Sequence, residues 1–170
     1  MFEGCVLGVD PGMAAVGLAA VGTGYGKPQV LWASTLRTPA GLPEAERLRQ
    51  VHRAVRDALA EHDAAAMAVE RVMWGKNVGS AMSVSRATGV VLLAAAAAGI
   101  PVSEYAPLEV KMAATGVGNA GKDLVRRALK KTHGLTNLPS DPDAVDAVAV
   151  AFCHLQQSGL RAAVRKAAAR

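Results

Sequence analysis

The stretch GVDPGMAAVG, residues 8–17, decides how the chain begins to fold. An apolar run from Cys5 ends on Asp10, a Pro-Gly turn follows at once, and a second run of small and apolar residues begins. This pattern predicts two strands, Cys5–Asp10 and Ala14–Val21, joined at Pro11-Gly12. Asp10 is the odd residue, because a carboxylate is costly to take out of water. Asp before Pro-Gly is good turn chemistry, and an acid held at a strand end can also bind a metal or a phosphate-bearing partner. The ten residues leave both accounts open.

Working outward, Gly22 to Pro28 is a second turn cluster and Gln29 to Thr35 a third strand, which completes an antiparallel meander. Pro43 to Glu61 reads as a helix, with Leu48, Val51, Val55 and Leu59 on one face. A strand over Ala65–Val72 carries Glu70 in its later part. The longest helix spans Asn77–Ala98 and is ended by Gly99. Its apolar residues cover more than one stripe, so it must be buried on more than one side; one side can pack on the sheet, leaving the other for a second subunit. A short strand (Pro101–Ala106), a short helix (Pro107–Ala114) and a basic helix (Ala120–Thr132) follow. The last helix, Asp141–Gln157, starts with Asp141 as N-cap and Pro142 at the first helical position. The expected architecture is α/β, a mixed sheet flanked by helices. Residues 1–158 are expected to form one domain, and the Ala- and Arg-rich residues 159–170 a basic, disordered tail.

The 170 residues suit one domain with a real core. The longest apolar candidate, Val90–Ile100, falls short of the roughly 20 residues needed to span a bilayer. The N-terminus lacks the basic-then-apolar pattern of a secretory signal, so a cytoplasmic protein without membrane association is expected. Cys5 and Cys153 lie in apolar segments without metal-ligand spacing and read as buried thiols. The net charge of +5 is compatible with nucleic acid without establishing it. GVDPG has neither the Lys-Ser/Thr of a P-loop nor a Gly-x-Gly-x-x-Gly pattern.

Asp143 and Asp146 lie three apart on the last helix, which places their Cβ atoms roughly 5–6 Å from each other. Helix-start decoration explains one of them through the macrodipole. Asp146, however, is set among Ala144, Val145, Ala147 and Val148, where a carboxylate needs a cation or good hydrogen bonds. If the strands of Asp10 and Glu70 are neighbours, their acids meet at one sheet edge, with the last helix across it. Four crowded carboxylates raise one another's pKa values, and Mg²⁺ or Mn²⁺ removes that penalty with hard oxygen ligands. Two such ions about 3.5–4 Å apart serve phosphodiester cleavage.

GVDPG, the strand ending in Glu70, KNVGSA, SRATG, EYAPLEVK, TGVGNAGKDLV and DAVDAVAVAFCH occur in an order that resembles the RuvC family. Those are bacterial Holliday-junction resolvases with an RNase H-like fold, and the likeness runs from Val6 to His154. It implies an RNase H-like, five-stranded mixed sheet. It also implies that Asp10, Glu70, Asp143 and Asp146 are catalytic acids binding Mg²⁺ or Mn²⁺, two per site, and that Lys111 and Lys122 lie near the scissile phosphate. Further implied are a homodimer nicking two opposed strands of a four-way DNA junction, and the branch-migration partners RuvA and RuvB. An ammonium near the phosphate would offset transition-state charge.

The chain departs from the family pattern in places. Val16-Gly17-Leu18 stands where the family often has Thr-Gly-Tyr, and Met73 followed by Trp74 stands where an aromatic often stacks on junction bases. Met73 and Trp74 are both candidates for DNA contact. The position of Asp143 is His in some relatives. His52, His62 and His133 read as surface residues, and His154 as compensation of a helix C-terminus. Three rival readings compete with the resolvase reading. An actin-like ATPase needs a duplicated domain and phosphate loop, for which the chain is too short. A non-cleaving junction binder would not require four acids. An RNA-directed nuclease of the same fold differs only in sensing the 2′-hydroxyl, which depends on geometry.

Overall fold

The computed structural model describes residues 4–24, 27–72 and 78–168. The elements run β1 (Cys5–Asp10), β2 (Ala15–Gly24), β3 (Lys27–Arg37), α1 (Glu44–Glu61), β4 (Ala64–Glu70), α2 (Val78–Ala97), β5 (Val102–Tyr105), α3 (Pro107–Thr115), α4 (Lys122–Lys131) and α5 (Pro142–Ala168). The strands form one five-stranded sheet in the order β3-β2-β1-β4-β5. The β1–β2 and β2–β3 pairs are antiparallel, whereas β1–β4 and β4–β5 are parallel. The mixed sheet flanked by helices read from the sequence is the fold found.

β1 is apolar up to Asp10 because it is the central strand and both its faces are covered. Successive side chains alternate between the faces. Leu7 and Val9 join Val51 and Val55 of α1 and Val91 of α2 in one core. Val6 belongs to a second core with Leu129 of α4 and Val148 and Phe152 of α5. Gly8 and Asp10 share the face of Val6, so Asp10 leaves the sheet on the α5 side.

α5 lies closer to that face than a side-chain-covered strand would permit. A Cβ on Gly8 would stand 2.1 Å from the carbonyl oxygen of Ala147, and one on Gly17 would stand 2.0 Å from that of Asp143. These strand glycines exist for backbone approach, a recognised use of glycine within a sheet. Since Gly17 pairs directly with Asp10, the approach sets the first turn of α5 over the end of β1.

The helix boundaries fall close to those expected, except that the backbone of α5 continues past Gln157 to Ala168. Alanine, arginine and lysine are the strongest helix formers, which accounts for the extension into the segment expected to be disordered. The outer face of α2 is apolar without a cover: Met82 is 49% and Leu93 60% exposed. Among the described residues no helix is long and apolar enough to cross a membrane.

Candidate active site

Three elements bring the acids together. Asp10 closes β1, Glu70 closes the adjacent parallel strand β4, and the Val9–Val69 pairing sets the two strand ends level. Asp143 and Asp146 occupy the first turns of α5. One carboxylate oxygen each from Asp10, Asp143 and Asp146 lies within 4.8 Å of the others. Glu70 stands outside that trio but close enough to Asp10 for each carboxyl to shift the other, with the proton favoured on Asp10.

That proton is held by electrostatics. Burial, then the charges of Glu70 and Asp146, push the Asp10 carboxyl up to about 8. Burial raises Glu70 too, with Asp146 adding to it, while the Asp10 hydrogen bond, Lys111 and Lys122 pull it down. Lys122, the first residue of α4, sends Nζ to Asp146 Oδ2 at 2.5 Å, and this bond raises the ammonium's own pKa. Lys111, on α3, faces the same acids closely enough to favour ionised Glu70. Both lysines therefore stand at the acid cluster, although their own sequence surroundings are those of solvated helix residues.

One support is the expected N-cap, and the others have no signature in the sequence. Asp141 caps α5 by accepting the N–H of Asp143 at 3.0 Å. Arg37, at the end of edge strand β3, donates to Asp141 Oδ2 at 2.7 Å and lies 3.6 Å from Asp143 Oδ2. The turn after Asp10 is pinned as well. Arg47 of α1 donates through Nη2 to the Met13 carbonyl at 3.0 Å and through Nε to Thr38 Oγ1 at 2.9 Å, and that hydroxyl donates to the Met13 carbonyl. Apart from the Asp141 cap, Gly17 carried a readable hint, as a glycine inside a strand pattern.

The donor set fits a divalent ion. All four groups offer hard carboxylate oxygens, the type that suits Mg²⁺ and Mn²⁺. An Asp that retains its proton near neutral pH marks negative charge the protein alone does not neutralise.

The chain matches the family model "Crossover junction endodeoxyribonuclease RuvC" over residues 6–154. The chain belongs to the RuvC family. The RuvC protein of Syntrophomonas wolfei is 43% identical over 150 residues, covering 88% of this chain and 87% of its own. Thermus thermophilus RuvC, solved in complex with a Holliday junction substrate, is similar at a TM-score of 0.82 and 34% identity, covering 90% of this chain and 93% of that one. The yeast mitochondrial Holliday junction resolvase shares the fold at a TM-score of 0.66 and 9% identity, covering 87% of this chain and 76% of its own. RuvC-family membership makes this protein a crossover junction endodeoxyribonuclease, a nuclease that hydrolyses phosphodiester bonds in resolving Holliday junctions. The family is metal-dependent, and the acid cluster is a group able to hold the metal.

Met73 and Trp74 lie outside the described residues. The histidines are less exposed than expected. His62 stacks on Trp32 with ring centroids 4.8 Å apart, and His133 Nε2 bonds the Ala114 carbonyl at 2.8 Å beside Phe152. Imidazole is half apolar, so a local ring or carbonyl partner draws it inward. His154 Nδ1 meets Tyr105 Oη at 2.9 Å. Cys5 and Cys153 are buried and free, and burial pushes both thiols up to about 11, which leaves them unreactive.

A metal held by Asp10 would have to displace its proton, so metal affinity at this cluster should be pH-dependent. Below a carboxyl pKa of about 8 the competing proton is bound, and above it the ligand is free. Mn²⁺ binding followed by electron paramagnetic resonance should tighten about tenfold per pH unit between pH 6 and 8, then level off. Affinity that does not change over that range would contradict the shared-proton arrangement.

Proposed function

We propose that the protein resolves four-way DNA junctions by paired nicking of two opposed strands, with Asp10, Glu70, Asp143 and Asp146 holding Mg²⁺ or Mn²⁺, two ions per site. The observation that carries the reading is the convergence of β1, β4 and the α5 N-terminus on one acid cluster with a lysine inside it. When bound, divalent ions supply activation of a water and stabilisation of charge on the reacting phosphate. The residues supply the rest. Asp10, once deprotonated, and Glu70 would each offer a strand-end ligand fixed by the sheet. Asp143 and Asp146 contribute ligands fixed by the α5 backbone, and Arg37 orients Asp143 through its bond to the helix cap. Lys122 offsets Asp146 at rest and is placed to offset phosphate charge as water attacks phosphorus and the sugar oxygen departs. Lys111 serves the same field from the α3 side.

Two cuts on a nearly two-fold-symmetric substrate call for two copies of the site, which a symmetric dimer supplies. The outer stripe of α2, with Met82, Gly89 and Leu93, supports it as the isologous surface. A Cβ on Gly89 would meet nothing within 4 Å, so this glycine, which lowers helix propensity by about 1 kcal/mol relative to Ala, leaves room for an approaching helix. Val84 is only half-buried by its own chain, which makes Leu93 the cleaner place for a charge. Leu93→Arg should give a monomer by sedimentation, still able to bind Mn²⁺ and nick once, but no longer releasing linear product from a plasmid bearing an extruded cruciform. A Leu93→Arg protein that stays dimeric would move the interface off this stripe. RuvA and RuvB are the partners this role implies, and residues 159–170 lie beyond the nuclease domain proper at 1–158.

The test of the function is that cruciform plasmid with the unaltered protein. Linear product from paired cuts supports resolution, and nicked circles accumulating without linear product would contradict it.

A further inference from the structure

A second basic feature lies beyond the acid cluster. Behind Lys122, α4 presents Arg126 and Lys130 at four-residue steps, each step advancing about 6 Å along the axis and turning little more than one revolution. The two side chains open onto a cavity of about 510 Å³, whose other lining residues are Gly134, Leu135, Thr136, Asn137 and Leu138. No carboxylate lines it, so the two cations are not neutralised from within.

The rest of the lining comes from the segment that follows α4. Gly134 and Asn137 both have left-handed conformations, at φ 69 and φ 61. For a residue other than glycine this costs free energy and persists where the surroundings require it. The cavity is also tied to the catalytic helix. Arg126 Nη1 donates to the carbonyl of Ser140 at 3.4 Å, just before the Asp141 cap. Lys122 at one end of the row touches Asp146, and Lys130 at the other lines the cavity.

We infer that the Arg126–Lys130 cavity is a phosphate subsite that seats the DNA strand adjoining the scissile phosphate. The inference rests on the nuclease reading above and extends it to a substrate-positioning site. A phosphodiester held here, one or more nucleotides from the cut, fixes the strand's register against the acids without touching a base. It contributes to substrate binding equally before and during the chemical step, so its loss raises KM with kcat nearly unchanged.

The test uses the full chain with labelled four-way junction and matched linear duplex, in calcium or chelator so that no cleavage occurs, over a series of salt concentrations. Lys130→Ala should flatten the plot of log affinity against log salt by about 0.9, the release of one counterion, and weaken binding about fivefold at moderate salt. Arg126→Gln, which keeps a donor for Ser140, should act the same way. Arg53→Ala on α1, across the sheet, removes an equal charge and should leave the slope unaltered. With metal present, Lys130→Ala should raise KM and spare kcat. Wild-type slope and KM in both the Lys130 and Arg126 variants would overturn the subsite, as would an equal loss in Arg53→Ala. A thermal shift with inorganic phosphate that Lys130→Ala abolishes, with the DNA slope untouched, would reassign the cavity to a free anion and also overturn it. A native protein that binds duplex as well as junction would instead refute the junction reading, while a slope change in Lys130→Ala would still place a DNA phosphate in the cavity.

Discussion

Asp10→Asn should abolish cleavage while junction binding stays intact or tightens. The substitution keeps the volume and removes one ligand charge from a cluster that already carries an excess of them. Metal-based stabilisation of a phosphoryl transition state is worth several kcal/mol, so cutting should slow by about a thousandfold or more. Binding moves the other way because a negative group facing the phosphate has gone. Asp10 already holds its proton near neutral pH without metal, so the neutral amide, which can still donate to Glu70, should leave the melting temperature of the metal-free protein nearly unchanged. Near-normal cleavage by this variant would return Asp10 to a role in the turn alone.

Gly17→Ala should be, with Gly8→Ala, among the most disruptive single-methyl changes in the sheet. Its Cβ would lie 2.0 Å from the Asp143 carbonyl oxygen and 2.7 Å from the carbonyl carbon, both backbone atoms that cannot rotate aside. Either α5 lifts from the sheet or β2 bends, and overpacking of this kind costs about 3 kcal/mol. For a chain of this size that corresponds to a fall in Tm of roughly 6–12 °C. Because the displaced carbonyl belongs to Asp143, one of the proposed metal ligands, activity should fall further than stability does, with cleavage lost at temperatures where circular dichroism still reports a folded protein. Gly41→Ala, with nothing within 4 Å of the new methyl, should change neither quantity. A Gly17→Ala protein with native Tm and native rate would mean that the close approach of α5 does not position the acids.

The contrast between those two glycines shows what a sequence can and cannot disclose. Strand and helix positions follow from local rules: the Pro-Gly turn after Asp10, the apolar spacing of Val51, Val55 and Leu59, and the Asp-Pro start of α5 all read directly. The identity of the acids was legible because carboxylates in apolar settings are conspicuous, and the ordered motifs resembled a known family. What depends on distance between elements was not legible. Arg37 reaches Asp141 across more than a hundred residues of chain, and Arg47 reaches the turn after Asp10 from a different helix; neither is marked by its neighbours. The half-burial of His62 and His133 likewise comes from a ring or carbonyl supplied by another element. The row of cations on α4 was visible as charge, but only the fold shows that it starts at Asp146 and ends in a cavity.

The central claim is that this acid cluster, loaded with a divalent ion, cuts DNA where four strands meet. The most direct measurement incubates the protein with a labelled four-way junction and with a linear duplex of the same sequence, each in Mg²⁺ and in excess chelator. Cleavage of the junction in Mg²⁺, absent in chelator and absent or far slower on duplex, is the predicted result. Junction cleavage that persists in chelator, or equal cutting of the two substrates, would contradict it.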